Sequence, residues 1–128
     1  KNSMSDNIKA NIEKSVVVAN GKDRCCLAGA VIACGKEVVY SCASKTLDED
    51  DPTAHAAVFA IRKTRLKMHR FLLKDFVVYM SEKPCNMCLL AMYQAGIKNV
   101  YYLEKEKIKN MFLTKKTLKQ AYAFWEFN

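Results

Sequence analysis

Two continuous apolar runs limit what this chain can fold into. Residues 27–34 (L-A-G-A-V-I-A-C) and residues 76–80 (F-V-V-Y-M) have the length of strands and contain no charged side chain. Strands that are apolar on both sides are typical of sheets covered by helices. Between the runs, residues 54–68 carry apolar side chains at helical spacing, with basic residues on the far side. This alternation predicts an α/β fold with helices on both faces of one sheet.

A turn signal joins the first run to a further strand. Gly35 and Lys36 separate residues 27–34 from residues 38–42 (V-V-Y-S-C), so the two strands are expected to form a hairpin. The other predicted elements are a weak helix at 5–20, a helix at 85–95, a strand at 100–103, and helices at about 105–112 and 114–126. A length of 128 residues suits one domain, residues 1–128.

Two of the predicted helices have recognisable ends. Thr53, which follows Pro52, is expected to cap the helix that begins at Ala54. Pro84 suits the first position of the helix at 85–95, and Gly96 is expected to end that helix. Both helices therefore begin after a strand and a loop.

Charge and cysteine content restrict the partners and the location. A formal net charge of +8 fits a phosphate-bearing partner and equally fits a role in solubility. The basic residues form two local clusters: Arg62, Lys63, Arg65, Lys67 and Arg70, then Lys105, Lys107, Lys109, Lys115, Lys116 and Lys119. Residues 1–20 are polar and lack the apolar segment of a signal peptide, so the six cysteines predict free thiols or metal ligands and a cytoplasmic location. No apolar run approaches the ~20 residues of a membrane span, and no membrane partner is expected.

A pair of cysteines is placed for metal or redox chemistry. In P-C-N-M-C, residues 84–88, Cys85 and Cys88 share one face of a helix, so both thiols can reach one ion. A helix N-terminus also favours thiolate over thiol. The same spacing fits a redox pair of the thioredoxin type, or two structural cysteines. The pair alone does not separate these three interpretations.

His55 favours the metal interpretation. A lone histidine is more often an ordinary surface or core residue than a ligand. Here, however, it is followed by P-C-x-x-C in the pattern H-x-E…P-C-x-x-C of zinc deaminases. Three protein ligands (His55, Cys85 and Cys88) leave the fourth position of a tetrahedral Zn²⁺ open to water, as in catalytic sites. Ala57 stands where the pattern has its Glu, the general acid–base that is not a zinc ligand.

Several motifs resemble the cytidine-deaminase-like superfamily of zinc deaminases. D-P-T-A-H-A with the following A-I-R, residues 51–62, is similar to guanine deaminases and bacterial tRNA adenosine deaminases. P-C-N-M-C with Q-A-G-I-K-N-V-Y-Y, residues 84–102, looks more like deoxycytidylate deaminases. The resemblance covers about residues 26–104. It implies a single mixed sheet of about five strands sandwiched by helices, and an oligomer, which in the purine branch is a homodimer.

The resemblance also marks candidate substrate contacts by position. Ser44 stands where the purine branches often have an Asn that contacts the base, and Lys83 stands where they tend to have Glu. Gly29 and Ala30 keep the small residues that let a base approach the sheet. Ala56, beside the histidine, completes the candidate set.

Ala57 has three explanations. An introduced Glu→Ala change, made to trap a substrate or to remove toxicity, fits the otherwise intact motifs near the metal. A natural non-catalytic subunit, similar to the partner that keeps zinc but lacks the Glu in heterodimeric eukaryotic tRNA deaminases, fits the basic charge. An interaction module with a structural zinc is the third explanation. Without the Glu, catalysis is expected to fall by at least the ~10²–10⁴-fold of a general acid–base group, while zinc binding survives.

The motifs also order the expected substrates. Guanine or a related purine base or nucleoside comes first, a tRNA adenosine second, and a cytosine nucleoside or nucleotide third. The aromatic residues at 122, 124, 125 and 127 are expected to pack a helix end on the sheet, with stacking on a base as the alternative. Six further side chains are expected in the core: Phe59, Phe71, Cys25, Cys26, Cys34 and Cys42.

Overall fold

The computed structural model describes residues 3–19 and 28–126, with side chains for 6–19 and 28–120. In chain order the elements are α1 (Ser3–Val18), β1 (Gly29–Cys34), β2 (Glu37–Ala43), α2 (Ala56–Met68), β3 (Phe76–Met80), α3 (Asn86–Gln94), β4 (Asn99–Glu104), β5 (Lys107–Phe112) and α4 (Lys115–Glu126). The strands form one sheet in the order β2-β1-β3-β4-β5. β3 and β4 pair in parallel, and the other pairs are antiparallel. The predicted mixed sheet of five strands and the predicted hairpin of β1 and β2 are confirmed.

Alternate residues of β1 face two different layers of helices. Ala30 and Ile32 belong to the larger core, which contains buried residues of α2 and α3. Val31 and Ala33 pack instead with Ile12 of α1. All five side chains are almost completely buried. Because β1 lies between β2 and β3 and is covered on both sides, its sequence has to be apolar throughout, and the predicted helices on both faces are confirmed.

Three strand ends meet at one edge of the sheet. Gly29, at the start of β1, pairs with Ala43 at the end of β2. Ala30 pairs with Met80, at the end of β3. Since α2 follows β2 and α3 follows β3, both helices begin at this edge. The antiparallel pairing of β1 with both neighbours therefore brings the two helix starts together.

The two helices begin later than predicted. His55 and Cys85 have extended backbones and are the N-cap residues of α2 and α3. Thr53 is not the cap of α2, because its hydroxyl donates to a carboxylate oxygen of Asp51 at 2.8 Å within the preceding loop. Pro84 precedes the cap residue and does not occupy the first helical position. Two of the candidate ligands, His55 and Cys85, are thus the last residues before a helix, and the third, Cys88, lies in the first turn of α3.

Residues 107–112 form a strand, so the predicted helix at 105–112 is wrong. β4 and β5 form a hairpin in which Glu104 pairs with Lys107. The two turn residues, Lys105 and Glu106, have φ angles of 52° and 67°. Turn residues in this left-handed region match the twist of antiparallel strands. The open edge of β4 offers backbone hydrogen bonds that outweigh the weak helical pattern of this charged segment.

Two aromatic side chains that were predicted in the core differ in their surroundings. Phe59 is buried in the larger core, as predicted. Phe71 is 79% exposed, so that prediction is wrong. His69, with a φ of 55°, ends α2 in the left-handed conformation and turns the chain before it reaches Phe71. The chain then re-enters the core only at Leu73.

The remaining predictions concern cysteines and the C-terminal helix. Cys42 is buried as predicted, whereas Cys34 is only partly buried. Cys25 and Cys26 lie outside the described residues. α4 confirms the predicted helix at 114–126, but the aromatic side chains at 122, 124, 125 and 127 are not among those described. Within residues 3–19 and 28–126, no helix combines the length and apolarity needed to cross a membrane.

Candidate metal centre

Three possible ligand atoms converge where α2 and α3 begin. The Nδ1 atom of His55 lies 3.6 Å from the Sγ of Cys85 and 3.6 Å from the Sγ of Cys88. All three ligand atoms lie within 4.8 Å of one another. Among the described side chains, this is the one group of three or more His, Cys, Asp or Glu residues that can hold a metal ion.

The spacing of these atoms fits zinc. Tetrahedral zinc binds sulfur at ~2.3 Å and imidazole nitrogen at ~2.0–2.1 Å, which places the two ligand atoms about 3.6 Å apart. The two nitrogen–sulfur distances at His55 have this value. One imidazole and two thiols are also a donor set that zinc prefers, and three protein ligands leave a fourth position open. The residues present therefore fit a zinc ion of the catalytic type.

Cys85 differs in acidity from Cys42, a cysteine near the end of β2. Hydrogen bonding from Cys88, with a smaller contribution from His55, lowers the pKa of Cys85 to about 5. The thiolate is the form that binds a metal, so Cys85 is ready to do so at neutral pH. Burial instead raises the pKa of Cys42 to about 11, and its thiol donates to the carbonyl oxygen of Ala56 at 3.5 Å. Cys42 is thus a neutral packing residue behind the site.

A pocket of about 170 Å³ opens at the three ligands. Its lining residues come from the strand ends, the loop between β3 and α3, and the starts of α2 and α3: Ala28, His55, Met80, Glu82, Lys83, Pro84, Cys85 and Cys88. Glu82 and Lys83 are exposed and bring opposite charges to the pocket. The sequence motifs did not indicate Ala28, Met80 or Glu82. Ala28 and Met80 lie at strand ends, and Glu82 lies beside Lys83. These positions indicate a shared pocket only when the pairing of β1 with β3 is known.

Ala57 brings no polar atom to this pocket. It is fully buried in the first turn of α2 and is not one of the lining residues. A longer side chain at this position would start in the first turn of α2, two residues after His55. Among the described lining residues, Glu82 is the one that carries a carboxylate.

The predicted substrate contacts are found in several environments. Lys83 lines the pocket. Ala30 and Ala56 are completely buried in the larger core. Ser44 is buried just after β2, where its Oγ accepts a hydrogen bond from the backbone amide of Thr46 at 3.5 Å. Substrate contact by these residues remains a prediction.

Gly29 is explained by packing on the other face of the sheet. A Cβ atom at this position would lie 2.1 Å from the backbone oxygen of Ser15 in α1. The close approach of α1 therefore requires a residue without a side chain here. Because side chains alternate along a strand, Ala28 faces the metal side instead and lines the pocket.

Comparison with known proteins points to one family. Residues 7–104 match the family model of the cytidine and deoxycytidylate deaminase zinc-binding region. The guanine deaminase of Bacillus subtilis is 40% identical over 74 residues, which are 58% of this chain and 47% of that protein. A tRNA-specific adenosine deaminase of Buchnera aphidicola is 27% identical over 89 residues, which are 68% of this chain and 59% of that protein. The chain thus matches about half the length of these relatives.

Solved structures agree with this assignment. An X-ray structure of the guanine deaminase from Bacillus subtilis has a TM-score of 0.66 and 26% identity, with 94% of each chain covered. A structure from studies of A-to-I editing by tRNA:A34 deaminases has a TM-score of 0.67 and 26% identity, covering 73% of this chain and 74% of the other. The family model covers most of the chain and includes all three candidate ligands. This chain belongs to the family of the cytidine and deoxycytidylate deaminase zinc-binding region.

Proposed function

We propose that the chain is the zinc-binding domain of a hydrolytic deaminase that acts on a nucleobase or nucleoside, with guanine as the favoured substrate. The observation that carries this proposal is the 3.6 Å spacing of His55 Nδ1 from the two cysteine sulfurs at the mouth of a pocket. We further propose that this chain binds its substrate but does not convert it, because Ala57 stands where the general acid–base Glu would be.

Each part of the site has a defined task in this proposal. His55, Cys85 and Cys88 hold the zinc, which when bound activates a water molecule for attack on the ring carbon that carries the exocyclic amine. A carboxylate at position 57 would take the proton of that water and pass it to the ring nitrogen and then to the departing ammonia. The methyl side chain of Ala57 cannot accept or release a proton, so it cannot carry out either of these two proton transfers.

The size of the pocket favours a single base as the group that enters it. Its volume is about 170 Å³. Pockets for larger ligands usually have ~300–1,000 Å³. A ribose or a longer polynucleotide would therefore remain outside, where Lys83 is exposed. Lys83 offers a positive charge and Glu82 a hydrogen-bond acceptor for groups on the base or beside it.

A tRNA adenosine is the second candidate substrate. The similarity to tRNA-specific adenosine deaminases and the net charge of +8 support it. In that case the chain is either a deaminase that lacks its Glu or a non-catalytic subunit that positions RNA for an active partner. A cytosine nucleoside or nucleotide is the third candidate, supported by the resemblance of P-C-N-M-C to deoxycytidylate deaminases.

We also propose that the protein is a homodimer and is located in the cytoplasm. The free thiols of the described cysteines fit a reducing compartment.

The decisive experiment is ammonia release by an Ala57→Glu variant. The panel is guanine, guanosine, adenine, cytosine, cytidine, deoxycytidylate and tRNA. We expect turnover of one substrate, at a rate at least ~10²-fold above that of the unchanged chain. Ala57→Gln is the matched control, since it has nearly the same shape as Glu but its amide cannot take up and release a proton, and it should stay inactive.

Zinc content is measured on the same preparations. Ala57→Glu with zinc bound and no ammonia from any substrate would reject the deaminase proposal in favour of a binding module. Guanine turnover would establish the purine-base substrate, whereas turnover of tRNA alone would move the second candidate to first place.

A further inference from the structure

The C-terminal end of α2 carries a basic and aromatic surface, here called the arginine–phenylalanine surface. It surrounds a depression of about 540 Å³ lined by Arg62, Arg65, Leu66, His69, Arg70 and Phe71. None of these lining residues is acidic. Leu66 is 70% exposed and Phe71 is 79% exposed, so large apolar side chains lie in solvent between the arginines. These two apolar side chains are bordered by cations and are accessible to a partner.

Arg65 contacts both the backbone and the ring of Phe71. Arg65 Nε donates to the backbone oxygen of Phe71 at 2.9 Å. The guanidinium carbon of Arg65 also lies 5.2 Å from the centre of the Phe71 ring, which is a cation–π distance. One side of the ring is therefore occupied by Arg65. The high exposure of Phe71 leaves a further apolar face open to a flat partner.

A second depression continues this surface towards α3. It has a volume of about 250 Å³ and shares Arg65 and Phe71 with the first. Gln94, near the end of α3, adds an exposed amide, which can both donate and accept hydrogen bonds. The two depressions adjoin each other at Arg65 and Phe71 and are together called the groove.

The charge of the groove favours an anionic occupant. Arg65 and Arg70 have no carboxylate among the ion pairs of the described residues. Arg62 has only a long contact of 3.9 Å to Asp51, and both side chains are partly exposed. A second copy of the chain docked through the same surface would bring three further guanidinium groups against these three. Contact with a polyanion instead removes the repulsion that these groups exert on one another.

We propose that the arginine–phenylalanine surface binds single-stranded nucleic acid. Guanidinium groups match phosphate oxygens, and an exposed phenylalanine provides a stacking platform for a base. An acidic peptide would satisfy the arginines but would leave the ring of Phe71 without a flat partner. At 1.5 Å per residue, Arg65 lies about 15 Å along α2 from His55, so this surface is separate from the metal pocket.

The test uses a labelled single-stranded RNA of about 12 nucleotides, within the usual site size for such strands. Arg70→Ala should weaken binding and reduce the salt slope of the affinity by about 0.7–1, because one phosphate contact is lost. Phe71→Ala should weaken binding by at least about fivefold and leave the salt slope unchanged, because a stacked base is neutral. This difference between the two variants is the signature of phosphate contact plus stacking.

Two residues of β5 provide matched controls. Lys109 is an exposed cation and Phe112 is a 51% exposed phenylalanine, and neither lines the groove. Lys109→Ala and Phe112→Ala should leave RNA binding unchanged within a factor of about two. All variants are checked for unchanged circular dichroism and zinc content, so that loss of RNA binding is separable from failure of the metal site.

Three results would overturn the proposal. The first is equal RNA affinity of Arg70→Ala, Phe71→Ala and the unchanged chain. The second is binding of polyglutamate as tight as binding of RNA, which would identify the surface as a site for acidic protein. The third is conversion of a dimer to a monomer by Phe71→Ala with RNA binding intact, which would make the surface a contact between copies of the chain. Each of these results is independent of whether Ala57→Glu deaminates a base.

Discussion

The Nδ1 atom of His55 lies 3.6 Å from the Sγ of Cys88, although 33 positions separate the two residues in the chain. His55 is the N-cap residue of α2, and Cys88 lies in the first turn of α3. The contact arises because β1 pairs antiparallel with both β2 and β3, which places the starts of both helices at one edge of the sheet. The metal centre is therefore a product of strand order and does not depend on any local segment alone.

Zinc should bind at about one ion per chain and stabilise the fold. With free zinc at 100 times its dissociation constant, the free energy of unfolding should exceed that of the chelated protein by ~2.7 kcal/mol. Metal analysis and thermal unfolding with and without chelator measure this. Cys88→Ser should abolish both effects, whereas Cys34→Ser, which changes a partly buried thiol away from the site, should preserve them. A folded protein that stays metal-free in excess zinc would contradict the assignment.

Gly29→Ala should be strongly destabilising. The added Cβ atom would lie 2.1 Å from the backbone oxygen of Ser15, so α1 has to move away from the sheet. We expect a loss of ~3 kcal/mol or more in the free energy of unfolding, measured by urea denaturation. Gly35→Ala is the control: its Cβ would meet no atom within 4 Å, and only the φ of 62° costs energy, ~1 kcal/mol. Equal losses in the two variants would show that α1 does not pack as described.

Cys42 should make the protein less stable in alkaline solution. Its pKa is raised by burial from 9.0 to about 11, so folding favours the neutral thiol. This contribution is present below pH 9 and is lost as the pH rises towards 11, by ~2 kcal/mol at pH 10.5. Urea denaturation at pH 8 and at pH 10.5, with chelator present, measures the loss. Cys42→Ala should lose less free energy of unfolding between these two pH values, because it lacks this thiol and keeps all other titrating groups. An identical loss in both proteins would refute the prediction.

Glu106→Gly should stabilise the hairpin of β4 and β5. Glu106 has a φ of 67°, a conformation that costs a residue with a side chain ~1 kcal/mol and costs glycine almost nothing. We expect a gain of ~0.5–1 kcal/mol in the free energy of unfolding, seen as a higher midpoint in thermal denaturation. Glu104→Gly is the opposite control, because Glu104 is a strand residue of β4 and glycine weakens strands. A lower midpoint for Glu106→Gly would mean that the turn differs from the one described.

Periodicity and spacing identified the layers and the candidate ligands without the structure. Residues 27–34 and 76–80 are apolar on both sides, which is a local property that already requires a covered sheet. His55, Cys85 and Cys88 follow from motif spacing, because a zinc ion accepts few donor types at few separations. The absence of Glu at position 57 is likewise visible in the chain itself.

Tertiary structure decided the features that depend on distant neighbours. Residues 107–112 became β5 because β4 has an open edge, which no local pattern reveals. Phe71 is exposed because α2 ends at a left-handed His69, and Gly29 is small because α1 approaches the opposite face of the sheet. Ala28 and Glu82 belong to the pocket only because β1 and β3 place their ends side by side. Sequence periodicity determines which side of an element is apolar, but only the packed chain determines what meets that side, since burial depends on residues far away in the sequence.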